Sequence, residues 1–174
     1  MKKRKALSGN YKAQNPDKYV GDLNNIHYRS SWERMFCKWC DSNDRIIMWS
    51  IEPIAIPYYD IGTRKYRKYY PDFFIKMANG KEYLIEIKPA VECSPPVGKR
   101  RTRNFIIAEQ TYKTNQSKWK AARIFCDQKG WVFRVMDENA LHQLGLKVIR
   151  KSIPTLKSSP KKKSSIKNRA VSKK

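Results

Sequence analysis

Two strand-like runs, residues 69–77 and 82–89, follow each other with only a short polar connection between them. Both runs are rich in aromatic and β-branched side chains, and the connection contains Asn79 and Gly80. This pattern is typical of a β-hairpin in which Gly80 takes the left-handed conformation that glycine adopts at little steric cost. We therefore expect the chain to fold around this hairpin.

The length of the connecting turn decides which side chains share a face of the hairpin. A three-residue loop over 78–80 places Asp72 opposite Glu86, whereas a two-residue turn places Asp72 opposite Ile87 and on the other face from Glu86. The three-residue loop also gathers apolar side chains on one core-facing side. These side chains are Phe73, Ile75, Tyr83, Ile85 and Ile87. We expect the three-residue loop, with a positive φ at Gly80.

Helical periodicity flanks the hairpin on both sides along the chain. Apolar side chains recur at helical spacing over 32–40, with Ser30 as the expected N-cap, and again over 119–126 in a helix that ends near Gly130. Residues 45–59 and 131–135 have the composition of extended strands. The order of helix, strands, helix and strand predicts an α/β domain with a mixed central sheet flanked by helices.

The charge of the chain is strongly positive and unevenly distributed. The 174 residues include 38 Lys and Arg against 15 Asp and Glu, which leaves a formal net charge of +23. We expect residues 1–29 to be a basic N-terminal arm, residues 30–146 to be the folded domain, and residues 147–174 to be a basic, flexible tail. A cationic excess of this size usually matches a polyanion, so nucleic acid is the expected partner.

Two cationic clusters are the candidate DNA contacts. One lies in a loop (Lys99, Arg100, Arg101 and Arg103) and the other lies in the tail (Lys161, Lys162 and Lys163). The sequence contains no run of about 18 apolar residues and no signal-like apolar stretch near its first residues. We therefore expect the protein to be neither membrane-spanning nor secreted.

Several other chemistries have little support in the sequence. Cys37 and Cys40 form the single CxxC, and His27 and His142 are the two histidines, so buried reduced thiols are favoured over a zinc site. Neither histidine has the acidic surroundings of a histidine-metal nuclease. No glycine-rich phosphate loop is present, which argues against an ATP-driven motor, and no small-molecule cofactor is expected.

The hairpin brings together residues suited to phosphodiester hydrolysis. Side chains alternate along a strand, so Glu86 and Lys88 share a face, and the expected register adds Asp72. Two carboxylates can hold Mg²⁺, with Mn²⁺ as a second option, because hard cations prefer oxygen ligands. A neighbouring lysine can orient the attacking water or offset negative charge on the phosphate.

The residues PD at 71–72 and EIK at 86–88 resemble the motif of the PD-(D/E)XK restriction-endonuclease-like nucleases. Flanking stretches are similar to the head completion nuclease family of tailed bacteriophages over about residues 15–145. These stretches are NPDKY at 15–19, YRSSWE at 28–33, WSIE at 49–52, IPY at 56–58 and YPDF at 70–73. The nuclease subunit of a cut-and-paste transposase is similar over a shorter stretch.

The resemblance implies a restriction-endonuclease-like fold and a Mg²⁺-dependent DNA endonuclease that acts during head maturation or neck assembly. By position, it implies that Asp72 and Glu86 bind the metal, that Lys88 is the catalytic lysine, and that Glu33 is a further metal-binding acid from the first helix. The implied location is the virion head or neck, or the host cytoplasm. Portal or neck proteins are the implied partners besides DNA.

Alternative interpretations remain for each of these residues. Ser30 and Glu33 also have the spacing of a capping box, in which the glutamate side chain accepts from the backbone N–H of the cap residue and does no chemistry. Asp72 could simply begin a strand, and Glu86 with Lys88 could be a solvated charge pair. Glu52, Glu92 and Glu109 are the alternative candidates for a metal-binding acid. A DNA-binding structural protein of the virion, or an RNA-binding accessory protein, is the alternative function.

Overall fold

The computed structural model describes residues 7–98 and 100–148. A four-stranded sheet in the order β3-β6-β7-β8 forms the centre, with antiparallel pairing except between the parallel strands β7 and β8. The predicted α/β class with a mixed central sheet is therefore confirmed. The elements are β1 (Gly9–Asn10), β2 (His27–Tyr28), α1 (Ser31–Ser42), β3 (Ile46–Ile51), β4 (Ile56–Asp60), β5 (Lys65–Tyr69), β6 (Phe73–Met77), β7 (Glu82–Ile87), α2 (Ala90–Cys93), α3 (Arg103–Lys129), β8 (Val132–Met136) and α4 (Glu138–Gln143).

Strands β6 and β7 form the predicted hairpin in the predicted register. Phe73 pairs with Ile85 and Lys76 pairs with Glu82, which is the register that a three-residue loop produces. Gly80 has a φ of 80°, and its N–H donates to the carbonyl of Met77 at 2.9 Å. Both the loop length and the positive φ are therefore confirmed.

Each face of the central sheet is covered by a long helix. Helix α1 packs on the face that carries Phe73, Ile75 and Ile85, as expected for the core-facing side. Helix α3 packs on the opposite face, where Phe74 and Leu84 contact its apolar residues. These helical residues are Trp119, Ala122 and Cys126. The face that carries the candidate acids is thus also a core face for much of its length.

Two elements differ from the boundaries expected from the sequence. The run 69–77 is divided into β5 and β6, because Pro71 removes a backbone donor and interrupts the strand. Helix α3 begins at Arg103, inside the expected basic loop, where the Thr102 hydroxyl accepts a hydrogen bond from the N–H of Phe105. The helix extends over 27 residues and ends at Gly130, as expected.

Residues 7–29 pack onto the domain, whereas the sequence analysis placed them in an arm. Ile26 is fully buried in the core beneath α1, and strand β1 pairs with β2. The buried Asp41 carboxylate accepts a hydrogen bond from the Tyr11 hydroxyl at 2.8 Å and two more from backbone N–H groups. The segment has too few apolar residues to reveal this burial through periodicity.

The last described residues still pack against the domain. Val148 is buried against the core, so the domain continues past residue 146. The tail from residue 149 onward, with Lys161, Lys162 and Lys163, lies outside the described residues, as does Lys99. Cys37 and Cys40 are buried and unpaired, as expected. Across 7–98 and 100–148, none of the helices has the length and apolar content needed to cross a bilayer.

Candidate active site

The site forms where the end of β7 meets the start of β6. Asp72 directly precedes β6, and its carboxylate accepts a hydrogen bond from the Ile87 N–H at 2.7 Å. Glu86 lies in β7 on the same face as Leu84, and Lys88 follows the end of the strand. The hairpin register therefore brings Asp72, Glu86 and Lys88 together, as the sequence predicted.

Glu86 is held by two polar neighbours. The Lys88 ammonium lies 3.1 Å from one carboxylate oxygen, and the Tyr69 hydroxyl donates to the other oxygen at 2.7 Å. Glu86 is only 3% exposed, so both contacts lie largely out of water. Sequence reasoning missed Tyr69, because it was assigned to the same strand as Asp72. The only available signal was Pro71, which separates the two strands.

The electrostatics of the site favour bound positive charge. Burial and the neighbouring Glu86 carboxylate raise the pKa of Asp72 well above its ordinary range. Burial alone would lower the pKa of Lys88, but the charges of Glu86 and Asp72 outweigh it and raise that pKa. Burial and the Glu86 charge also raise the pKa of the Tyr69 hydroxyl, which keeps it protonated as a donor. A cation bound beside Asp72 would therefore stabilise the charged form of its carboxylate.

The donor set fits a hard divalent cation. Asp72 and Glu86 offer carboxylate oxygens, which are ligands that Mg²⁺ prefers, and Mg²⁺ commonly takes only one or two carboxylates together with water and substrate phosphate. The repulsion that raises the pKa of Asp72 is relieved when a cation binds the pair. Within the described part of the chain, no group of three or more His, Cys, Asp or Glu side chains forms a ready-made metal cage.

Glu33 caps helix α1 and also faces the site. Its carboxylate accepts hydrogen bonds from the Arg29 N–H at 2.7 Å and the Ser30 hydroxyl at 2.9 Å, while the Ser30 hydroxyl accepts from the Glu33 N–H. Ser30 is therefore the N-cap, as expected, but the Glu33 carboxylate accepts from the Arg29 N–H, whereas the capping box predicts the backbone N–H of Ser30 as its donor. Glu33 also lines a cleft of about 310 Å³ together with Lys88 and Glu92. Its role as a metal ligand stays a prediction.

The other sequence candidates lie at varying distances from this centre. Glu92 shares the cleft, whereas Glu52 forms an ion pair with Arg29 at 2.7 Å. Glu109 lies on α3 between Arg101 and Lys113, at 3.1 and 3.0 Å. The described cations of the predicted DNA-binding loop are all exposed, and they are Arg100, Arg101 and Arg103.

Comparison with known proteins adds two findings. A family model described as the N-terminal part of TnsA-like endonucleases matches residues 43–138, a range that contains Asp72, Glu86 and Lys88 but not Glu33. The chain is also 40% identical over 150 residues to the head completion nuclease of Enterobacteria phage T4. That alignment covers 82% of this chain and 98% of the phage T4 protein.

Proposed function

Because the chain belongs to the head completion nuclease family of bacteriophages and has a TnsA-like endonuclease domain of restriction-endonuclease-like fold, we propose that it is a Mg²⁺-dependent DNA endonuclease. The observation that carries this proposal is the convergence of Asp72, Glu86 and Lys88 at one end of the β6–β7 hairpin. Membership of this family supports nuclease activity, and these three side chains suggest its mechanism.

Each side chain has a distinct part in the proposed reaction. Asp72 and Glu86 would hold Mg²⁺, or Mn²⁺ in its place. A metal held there would supply Lewis-acid chemistry, which would polarise the phosphate and activate a water. The Lys88 ammonium, positioned by its contact with Glu86, would donate a hydrogen bond that orients the attacking water or offsets the charge of a phosphate oxygen. Tyr69 fixes the second oxygen of Glu86.

We place this activity in head maturation or neck assembly of a phage, because the phage T4 relative is named a head completion nuclease. The virion head or neck, or the host cytoplasm, is then the proposed location, with portal or neck proteins as partners. Arg100, Arg101 and Arg103, with Lys99 and the tail residues Lys161, Lys162 and Lys163, are the proposed DNA contacts.

Incubation of the purified protein with DNA tests the proposed function directly. We expect supercoiled DNA to be nicked or linearised in Mg²⁺ and in Mn²⁺, and to stay intact in EDTA, because the metal supplies the activated water. Gel electrophoresis of supercoiled and linear substrates gives the readout. If all DNA forms stay uncut in both metals, the chain is instead a DNA-binding structural protein with a nuclease fold.

Glu33→Gln separates the two roles of Glu33. Glutamine also serves at this position of a capping box, so the free energy of unfolding should stay within about 0.5 kcal/mol of wild type. Loss of the negative charge should nevertheless slow cleavage by about tenfold, which corresponds to about 1.4 kcal/mol in the activation barrier. Denaturant unfolding and cleavage at saturating DNA measure the two effects.

Ser30→Ala is the matched control for Glu33→Gln. It removes the capping hydroxyl but leaves the Glu33 carboxylate, so it should lower stability by about 1 kcal/mol and retain cleavage. Full activity of Glu33→Gln would restrict Glu33 to its capping role.

A further inference from the structure

The β4–β5 hairpin presents an aromatic pair to solvent. Tyr59 and Tyr66 are directly opposite each other, and their rings pack edge to face with centroids 5.2 Å apart. Tyr66 is 84% exposed and Tyr59 is 46% exposed, although the alternate positions Tyr58 and Tyr69 are buried. One face of this hairpin therefore packs on the domain, while the outer face leaves aromatic surface in water.

Cations flank the aromatic pair. Lys68 lies on the outer face with Tyr66, opposite Pro57. Arg64 and Lys65 lie at the tip of the hairpin, and Lys65, which pairs with Asp60, leaves the strand on the other face. All three cations are exposed, and within residues 7–98 and 100–148 none of them forms an ion pair. Asp60, which pairs with Lys65 across the hairpin, is buried, and its carboxylate accepts hydrogen bonds from Thr63 and Thr114. We call Tyr59, Arg64, Lys65, Tyr66 and Lys68 the hairpin patch.

Hydrogen bonds to helix α3 hold the tip of the β4–β5 hairpin in place. The Asp60 carboxylate accepts hydrogen bonds from the Thr63 hydroxyl at 2.7 Å and from the Thr114 hydroxyl of α3 at 2.9 Å. The Ile61 N–H donates to the Ser117 hydroxyl of α3 at 3.3 Å. Since these bonds tie the tip to the longest helix, the cations project from a preorganised surface.

The hairpin patch also leads directly to the candidate active site. Strand β5 runs from Lys65 to Tyr69, whose hydroxyl contacts Glu86, and Asp72 follows. At about 3.3 Å per residue, Lys65 lies about 13 Å from Tyr69 along the strand. That length corresponds to about four phosphates of one DNA strand along the duplex axis. At the tip, Arg64 also lines a cleft of about 450 Å³, whose other charged residues are Arg101 and Lys113, both ion-paired with Glu109.

We propose that the hairpin patch binds the phosphate backbone of the DNA that flanks the cleaved bond. The proposal takes its substrate from the endonuclease function above. The expected occupant is the sugar-phosphate backbone, because the patch combines unpaired cations with exposed tyrosines. Lysine, arginine and tyrosine side chains commonly donate hydrogen bonds to phosphates and sugars. The patch thereby fixes the direction in which DNA crosses the site.

The double variant Lys65→Gln with Lys68→Gln tests the proposal by DNA binding in EDTA, where no cleavage occurs. Loss of two phosphate contacts should reduce the slope of log affinity against log salt by about 2, and should weaken binding at physiological salt by at least about tenfold. Fluorescence anisotropy with a labelled duplex measures both quantities.

Lys81→Gln with Lys129→Gln is the matched control. Both lysines are exposed, and they lie where β7 and β8 begin, at the opposite end of the sheet from Glu86. This variant removes the same charge and should bind DNA with an unchanged salt slope. If the two double variants change the slope equally, or if the hairpin variant binds like wild type, the proposal is wrong. Because binding is measured without metal, failure to cleave DNA would leave this test intact.

Arg64→Gly tests the hairpin patch with a variant that should fold at least as stably as wild type. Arg64 has a φ of 54°, a left-handed conformation that glycine adopts without the steric cost borne by other residues. The glycine variant should therefore unfold at the same or a higher temperature than wild type, while it binds DNA several-fold more weakly. Wild-type DNA affinity in this folded variant would contradict the participation of Arg64.

Discussion

Asp72→Asn is expected to slow DNA cleavage in Mg²⁺ by at least about a hundredfold, while DNA affinity in EDTA stays at the wild-type level. The carboxamide can still accept the hydrogen bond from the Ile87 N–H, but it lacks the negative charge that a divalent cation requires. The variant also removes the repulsion from Glu86 that raises the pKa of Asp72. Its melting temperature without metal should therefore equal or exceed that of wild type, which separates chemistry from folding.

Related variants define how the site is divided among its residues. Glu86→Gln and Lys88→Ala should each slow cleavage to a similar extent, because they remove a ligand charge and the water-orienting ammonium. Tyr69→Phe keeps both carboxylates and loses one buried hydrogen bond to Glu86, so a drop of only about tenfold is expected. Cleavage assays at saturating DNA give these rates.

Lys76→Ala is the control for Lys88→Ala. Lys76 forms an ion pair with Glu82 at 3.1 Å, the same separation as between Lys88 and Glu86, but at the far end of the β6–β7 hairpin. It should leave cleavage unchanged. Full activity of Asp72→Asn or Glu86→Gln would remove the proposed metal site.

Asp60→Ala is expected to destabilise the fold by about 2–4 kcal/mol. Asp60 is 1% exposed, and its carboxylate accepts hydrogen bonds from Thr63, Thr114 and the Gly62 N–H. Its removal leaves these donors in a buried place without their acceptor, and each such loss costs about 1–3 kcal/mol with incomplete additivity. Urea denaturation measures the change. Asp22→Ala, at an exposed carboxylate with one local hydrogen bond, should cost less than about 1 kcal/mol.

The contribution of Asp60 should also depend on pH in a defined direction. Burial alone would raise its pKa, but hydrogen bonds from the Thr63 and Thr114 hydroxyls and the Gly62 N–H hold the pKa below its ordinary value of 3.8. The stabilisation is therefore fully present above that ordinary value and is lost as the pH falls through the lower pKa of the folded state. The stability difference between wild type and Asp60→Ala should shrink below about pH 4. A constant difference down to pH 2 would contradict this assignment.

The hairpin could be predicted because its determinants are local. Gly80 permits the left-handed turn, and the alternation of side chains then fixes that Asp72 and Glu86 share a face. The N-cap contact between Ser30 and Glu33 is equally local, since its partners are three residues apart. Patterns of this kind depend on neighbours along the chain and on backbone sterics alone.

The contacts that complete the site depend on packing between distant segments. Tyr69 reaches Glu86 because β5 leaves the central sheet to pair with β4, and Asp60 reaches Thr114 across 54 positions of sequence. Residues 7–29 carry too weak an apolar pattern to predict that Ile26 becomes fully buried. Which segment covers a given face is decided by complementary shape and by the pairing of buried polar groups, and neither is encoded at a fixed spacing.

The sequence by itself therefore determined the α/β class, the hairpin register and the convergence of Asp72, Glu86 and Lys88. Turn sterics and strand periodicity suffice for these features. Only the tertiary structure decided which helix covers which face of the sheet, that Tyr69 holds Glu86, and that the hairpin patch extends from the site. Those features arise when apolar faces and buried polar groups of remote elements find partners, which is a property of the whole fold.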